Sequence, residues 1–328
     1  MRTYRIFILF ALVLAVSACA APKIRLFPGP AEPLEEFTLQ GKAEQKILMI
    51  PIRGIISDAP RETTFRTRPS MVQEIVSQLR KAEKDSKIKA VLLQINSPGG
   101  SVTASDVLYN EFAGFKKRTG VTIVAAMMDV AASGGYYVAL PSDAIVAHPT
   151  TVTGSVGVLF LRPKVTGLME KIGVSVEVNK SGKDKDMGSP FRPVSPEEEK
   201  ILQSLTDQLG RRFVDLVAKH RGLDPGKIQQ ISTARVYLAD DALKLGLVDQ
   251  IGYLDDAIAV ARTRAGLPAD AKVVVYRRTE YPNDNIYNTF INQEGGGGIS
   301  LFSLEQLGLP TEMNSGFYYL WPVAVGGH

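Results

Sequence analysis

From Lys46 the chain reads KILMIPIRGII, an almost unbroken run of apolar and β-branched residues, the pattern of a strand buried on both faces. MVQEIVSQLRKAEKD follows Pro69 and Ser70 with apolar residues at 71, 72, 75, 76 and 79, which is the 3.6-residue period of an amphipathic helix. AVLLQIN over 90–96 predicts a second strand, ended by the turn Ser97-Pro98-Gly99-Gly100. A second helix is expected in SVTASDVLYNEFAGFKKRTG, and a third strand in VTIVAAMM over 121–128, with Ser133-Gly134-Gly135-Tyr136-Tyr137 close behind it. Strand, helix, strand, helix, strand is the order of an α/β fold whose parallel sheet is joined by crossover helices.

Beyond AIVAHPTTVTGSVGV the pattern predicts a short helix near 163–172, a strand in VSVEVNK, and a polar loop over 182–194. SPEEEKILQSLTDQLGRRFVDLVAKHRG carries a strong helix start, with Ser195 as N-cap and acids in the first turn. Helices near 225–231 and 239–246, the helix LDDAIAVARTRAG and a last strand AKVVVYRR complete a domain expected over 45–279. Residues 280–328 contain a four-glycine run at 295–298 and are expected to form a mostly irregular tail. Its close, FYYLWPVAV, is apolar enough to resemble a hydrophobic peptide. The tail is therefore either a disordered end or a segment that folds over the site of its own or a neighbouring subunit.

The first residues have a different character. Arg2 and Arg5 precede an apolar run from Ile6 to Val16, too short to cross a bilayer core of about 30 Å at about 1.5 Å per helical residue. Such a run fits an export signal. Val16-Ser17-Ala18-Cys19 resembles a bacterial lipobox, in which the cysteine sulfur carries a lipid after cleavage before it, giving 1–19 as a lipoprotein signal peptide. Cleavage after Ala18 or Ala20 as an ordinary secretory signal is the alternative. Residues 20–44, with Pro22, Pro28, Pro30 and Pro33, are expected to act as a tether.

Composition narrows the chemistry. The chain has 328 residues, 45% hydrophobic and 22% charged, which excludes a disordered, collagenous or coiled-coil protein. Its formal charge is only +4, two units of which come from Arg2 and Arg5, so no global case for nucleic acid arises. Cys19 is the single cysteine, which removes disulfides and cysteine-based metal cages, and the three histidines are His148, His220 and His328. No dinucleotide fingerprint opens a helix and no Walker A sequence occurs, so no cofactor is expected.

Ligands in α/β sheets usually bind at the carboxyl ends of strands, where two glycine turns fall. A serine at the second turn, Ser133, could approach a peptide backbone, and the N–H groups of Gly100 and Gly134 could form an oxyanion hole. The same turns also fit plain tight turns with N-caps. A nucleophilic serine needs a base. His148 lies in an apolar stretch and His220 at a helix end, and neither has the look of a triad member, though His148 stays open. Lysine can serve if its pKa falls from about 10.4 to about 7–8, near 4 kcal/mol, which apolar burial can supply. Lys183 and Lys185 are the candidates.

NSPGG (96–100), DVAASGGYY (129–137), TVTGSVGV (151–158), SGKDKDMGSPFRP (181–193) and ARVYLADDALKLGLVDQIGYLDDAI (234–258) together resemble the bacterial signal peptide peptidase A family of Ser–Lys proteases, in its short, single-repeat form. The resemblance covers about residues 45–265. It implies the Clp-protease/crotonase superfold, Ser133 as nucleophile, Lys185 as base, Ser155 as the residue positioning that lysine, and Gly100 and Gly134 as oxyanion donors. It further implies homo-oligomeric rings of four to eight subunits and cleavage of remnant signal peptides and other hydrophobic peptide segments through an acyl-enzyme. With Cys19 as lipidation site, the domain would face the periplasm or cell exterior on a membrane. A crotonase-like acyl-CoA enzyme and a non-catalytic scaffold lipoprotein are the competing readings. The first lacks an obvious acid/base carboxylate near either turn, and the second is opposed by the intact Ser133 and Lys185.

Overall fold

The computed structural model describes residues 33–63, 66–278, 285–286 and 316–322, so the leader with Cys19 and most of the segment after 279 lie outside the described residues. The elements run β1 (Glu35–Gln40), β2 (Lys46–Arg53), β3 (Arg61–Thr63), β4 (Arg66–Arg68), α1 (Met71–Ala82), β5 (Ile88–Ser97), β6 (Gly99–Ser101), α2 (Val102–Thr119), β7 (Thr122–Ala132), α3 (Gly134–Tyr137) and β8 (Ala144–Ala147). There follow β9 (Val152–Gly154), β10 (Leu159–Leu161), α4 (Thr166–Ile172), α5 (Pro196–Arg221), α6 (Pro225–Ile231), β11 (Val236–Leu238), α7 (Ala239–Leu245), β12 (Gln250–Ile251), α8 (Leu254–Arg264), β13 (Lys272–Arg277) and β14 (Gly316–Leu320).

The main sheet has the order β1-β13-β2-β5-β7-β8-β12. From β13 to β12 every neighbouring pair is parallel, and β1 closes one edge antiparallel to β13. Strand alternation divides the core. Leu48, Ile50, Val91, Leu93, Ile123 and Ala125 pack on the face carrying α1 and α2, whereas Ile47, Met49, Ala90, Leu92, Val124 and Ala126 meet Leu254, Ala257, Ile258 and Ala261 of α8. Both faces are covered, which is why these strands read as continuous apolar runs. The expected α/β architecture, parallel strands with crossover helices, is therefore present. The long helix α5 starts as read: Ser195 Oγ accepts from the Glu198 N–H while Glu198 accepts from the Ser195 N–H.

Three local expectations are corrected. Strand β1 forms inside the segment expected as a tether, because Phe37 and Leu39 pack against the α8 side of the core and its backbone pairs with β13. VSVEVNK forms no strand: Val174, Val176 and Val178 are all exposed, and its backbone pairs with no other strand among the described residues. Within the segment expected as irregular, Ile286 is buried against the core, and β14 pairs antiparallel with both β10 and β6. FYYL gains there the backbone partners that a sequence pattern cannot display.

Candidate active site

Strand β7 outruns its neighbour β8, and its last residues pair instead with β9: Val130 with Val152, Ala131 with Thr153, Ala132 with Gly154. That extension delivers Ser133 beyond the end of the sheet. Its N–H donates to the Gly154 carbonyl at 2.8 Å, and its carbonyl accepts from the Tyr137 N–H at 2.9 Å, so the backbone is held on both sides. Ser133 adopts φ 53 and ψ −117, a conformation that non-glycine residues rarely take and that persists only where the surroundings impose it. Serine at a helix start ordinarily caps it. Here Oγ makes no cap bond, is fully buried, and has no hydrogen-bond partner among the described residues.

The glycines beside Ser133 answer to close approach. A Cβ on Gly99, whose φ is +103, would stand 2.7 Å from the Gly134 nitrogen, and one on Gly134 would stand 3.0 Å from the Gly99 Cα and 2.5 Å from Ser105 Oγ. The two turns are thus in contact. Ile56 holds the outer edge of β6: its N–H donates to the Gly99 carbonyl at 2.9 Å and its carbonyl accepts from Ser101 N–H at 3.0 Å. The N–H of Gly100 faces the opposite edge. Ser97 Oγ, donating to the Gly54 carbonyl at 2.7 Å and accepting from Gly99 N–H at 3.1 Å, fixes the turn between β5 and β6.

Ser155 follows Gly154, the residue that holds the Ser133 N–H. It also has positive φ, 52°, is nearly buried, and donates its N–H to the Arg235 carbonyl at 2.8 Å. The structure therefore brings Ser133, Gly100, Gly134 and Ser155 together. Lys185 it places elsewhere, exposed on a turn where its N–H meets the Gly182 carbonyl, and no hydrogen bond joins it to Ser133. The alternative lysine, Lys183, is paired with Glu197, and that hydrogen bond and charge raise its pKa, which keeps it protonated. Asp186 and Glu198 both clamp Arg192, tying the Lys185 turn to the start of α5.

Neither histidine touches the serine. His148 Nδ1 is engaged by Thr150 at 2.9 Å, and His220 Nε2 by the Tyr109 hydroxyl at 2.8 Å. Burial, followed by the charges of Lys219, Lys116 and Arg221, lowers the pKa of His220. Sequence reasoning missed an aromatic cluster next to the serine. Tyr137 on α3 packs against Phe213 of α5 at 4.8 Å between centroids, and its hydroxyl donates to Asp106 at 2.5 Å. Burial first, then that hydrogen bond, pushes the Tyr137 hydroxyl far above its usual range. The signal available was the spacing Ser133 to Tyr137, one helical turn.

Comparison with known proteins shows what the chain as a whole is similar to. Residues 116–268 match Peptidase family S49, and residues 64–154 match Clp protease. An Enterococcus faecium protein provisionally named signal peptide peptidase SppA is 38% identical over 253 residues, 77% of this chain and 73% of that protein. The chloroplastic serine protease SPPA of Arabidopsis thaliana is 35% identical over 238 residues, 72% of this chain and 35% of the relative. Among solved structures, a point variant of ClpP1 from Listeria monocytogenes superposes with a TM-score of 0.41 and 18% identity, over 66% of this chain and 95% of that one.

Proposed function

The chain belongs to the signal peptide peptidase A family, peptidase family S49, and from that premise we propose that it is a serine endopeptidase working through a Ser133–Lys185 dyad. The observation that carries this reading is the Ser133 hydroxyl: buried, unpartnered among the described residues, and held in a strained backbone conformation beside two glycine turns. Lys185, in neutral form, takes the hydroxyl proton as Oγ attacks a peptide carbonyl. The N–H groups of Gly100 and Gly134 stabilise the oxyanion that forms, worth about 3–4 kcal/mol per donor in comparable sites. Lys185 then protonates the leaving amine, and water activated by the same lysine releases the acyl group from Ser133. Ser155 positions the lysine.

A lysine acts as base only where apolar surroundings keep it neutral. In the single chain Lys185 is exposed, and so are Leu168, Ile172, Val174, Val176, Val178 and Phe191 in the segment that carries it. Homo-oligomerisation covers this apolar segment and supplies the dry environment. The substrates are hydrophobic peptide segments, remnant signal peptides among them, and Cys19 anchors the enzyme by a lipid to a membrane, facing the periplasm or exterior. The test is cleavage of a fluorogenic apolar peptide together with labelling by a serine-directed acylating probe. Ser133→Ala is expected to abolish both, and Lys185→Ala to reduce both by at least about 100-fold. Full activity of either variant would overturn the assignment.

A further inference from the structure

The turn that carries Lys185 is held by charge rather than by apolar packing. Lys185 is followed by Asp186, whose carboxylate accepts from Arg192 Nε at 2.9 Å and Nη2 at 2.8 Å, while the Asp186 carbonyl accepts from Nη2 at 3.1 Å. On its other side the same guanidinium donates to Glu198 Oε2 at 2.7 Å and Oε1 at 3.0 Å, and to the Pro193 carbonyl at 2.9 Å. The planar fork is thus shared between two carboxylates and two carbonyls. Lys180 Nζ donates to Asp186 Oδ1 at 2.8 Å, and the Gly188 N–H to Glu198 Oε1 at 2.9 Å.

These groups lie in a segment that is otherwise open to solvent. Val174, Val176, Val178 and Lys185 are exposed, yet the Asp186 side chain is 12% exposed and that of Glu198 only 4%. Replacing a buried ion pair by apolar groups of similar volume is often neutral or stabilising, so stability alone does not account for the network. Capping does not account for it either. Ser195 and Glu198 satisfy the start of α5 by themselves, and Arg192, Asp186 and Lys180 are surplus to that task. What they add is a connection: it runs from α5, whose Phe213 and Val217 are buried in the core, through Glu198 and Arg192 to the residue next to Lys185. The hydrogen bonds from Arg192 and Lys180 hold the Asp186 carboxyl far below its usual range, so the link stays ionised at neutral pH.

We propose that Arg192, gripped by Asp186 and Glu198, is a positioning residue for Lys185: it fixes the turn to α5 so that the lysine amine meets the Ser133 hydroxyl in one geometry when the apolar segment is covered. The proposal rests on the Ser133–Lys185 reading. Proton transfer requires the two heavy atoms within about 3 Å, and a displacement of about 1 Å costs on the order of 100-fold in rate. Because the lysine takes the proton only as the hydroxyl attacks, a misplaced turn lowers kcat and leaves KM alone. Lysine in place of Arg192 keeps the charge but offers a point in place of a fork, and it cannot hold both carboxylates and both carbonyls at once.

The test is a double-mutant cycle in the full-length chain, read as cleavage of the fluorogenic apolar peptide and as the rate of Ser133 labelling by a serine-directed acylating probe. With Lys185 present, Arg192→Ala is expected to lower kcat and the labelling rate by on the order of 100-fold with KM unchanged, and Arg192→Lys to give an intermediate loss. In the Lys185→Ala background no base remains to be positioned, and there Arg192→Ala is expected to leave the residual labelling rate unchanged. An equal fold-loss in both backgrounds is general damage to the site and overturns the proposal, as does full activity of Arg192→Ala. In either case inactivity of Ser133→Ala and Lys185→Ala leaves the dyad reading standing. Full activity of Lys185→Ala removes that reading, and the proposal with it. Where light scattering or the far-UV spectrum shows that Arg192→Ala disturbs assembly or fold, the same cycle is run with Arg192→Lys, and the same outcomes decide.

Discussion

Replacing Gly99 by alanine separates backbone strain from the close approach that builds the proposed oxyanion hole. At φ +103 an alanine pays for a conformation L-residues avoid, about 1–2 kcal/mol. Gly54→Ala is the control, because its φ is +73 and nothing lies within 4 Å of its Cβ. On Gly99 the new methyl would stand 2.0 Å from the Tyr319 oxygen and 2.7 Å from the Gly134 nitrogen. Release of β14 relieves the first clash at the loss of the buried Tyr319 ring, about 2 kcal/mol. The second cannot be relieved that way, because Gly134 belongs to α3 and is anchored through Ser133. We expect Gly99→Ala to lose about 3–5 kcal/mol and Gly54→Ala about 1–2 kcal/mol, read from urea unfolding at one protein concentration. Peptide cleavage is expected to fall at least about 100-fold in Gly99→Ala and to stay near normal in Gly54→Ala. Matching unfolding midpoints with retained activity in Gly99→Ala would refute the argument that the two turns are locked together.

Three further outcomes follow from other parts of the structure. Glu198 accepts from Arg192, Ser195 N–H and Gly188 N–H; the Arg192 bond leads, and with the backbone bonds outweighs burial to bring its carboxyl down to about 2. A folded-state value below the unfolded one, near 4.3, means stabilisation that is complete above about pH 5 and fades as pH falls toward 2. Glu198→Gln should therefore cost about 1–2 kcal/mol at pH 7 and much less at pH 2, and equal losses at the two pH values would contradict it. Val176→Asp places a charge on the exposed apolar segment that carries Lys185; light scattering should show smaller particles and peptide cleavage should fall together, while the far-UV spectrum stays unchanged. Cys19→Ser should abolish incorporation of labelled fatty acid and release the protein from the membrane fraction, and continued labelling would remove Cys19 as the anchor.

The central strands were legible because they are covered on both faces, so consecutive residues such as those of AVLL and IVAAM are all apolar whichever face they point to. Helix α5 announced itself through Ser195 and the acids after it, a local device that works wherever the chain goes. Strands made by distant pairing were not legible. β1 and β14 depend on partners some 200 residues away, and neither EEFTLQ nor GFYYL carries a mark of the edge it will meet. VSVEVNK failed in the opposite sense, having the alternation of a strand but no partner among the described residues of its own chain. At the site, the residues contributed by strand ends and tight turns were readable as motifs. The aromatic cluster was not, because Tyr137, Phe213 and Tyr319 are brought together from three elements.

Ser133 and Lys185 stand in opposite conditions in the single chain. The serine is sealed, and the lysine is open to solvent. Under the proposed Ser–Lys chemistry each has to change: a peptide has to take the place of β14, and the lysine has to lose contact with water. The first change is a competition with a strand of the same chain. A di- or tripeptide offers fewer backbone bonds than β14 makes to β6 and β10 and competes poorly on those terms. A longer apolar segment can replace both edges at once, as well as the buried Tyr319 ring. On that proposal, selection for extended hydrophobic peptides would arise from what substrate must displace as much as from what it touches, and folded proteins, which cannot present a free strand, would be excluded by the same requirement.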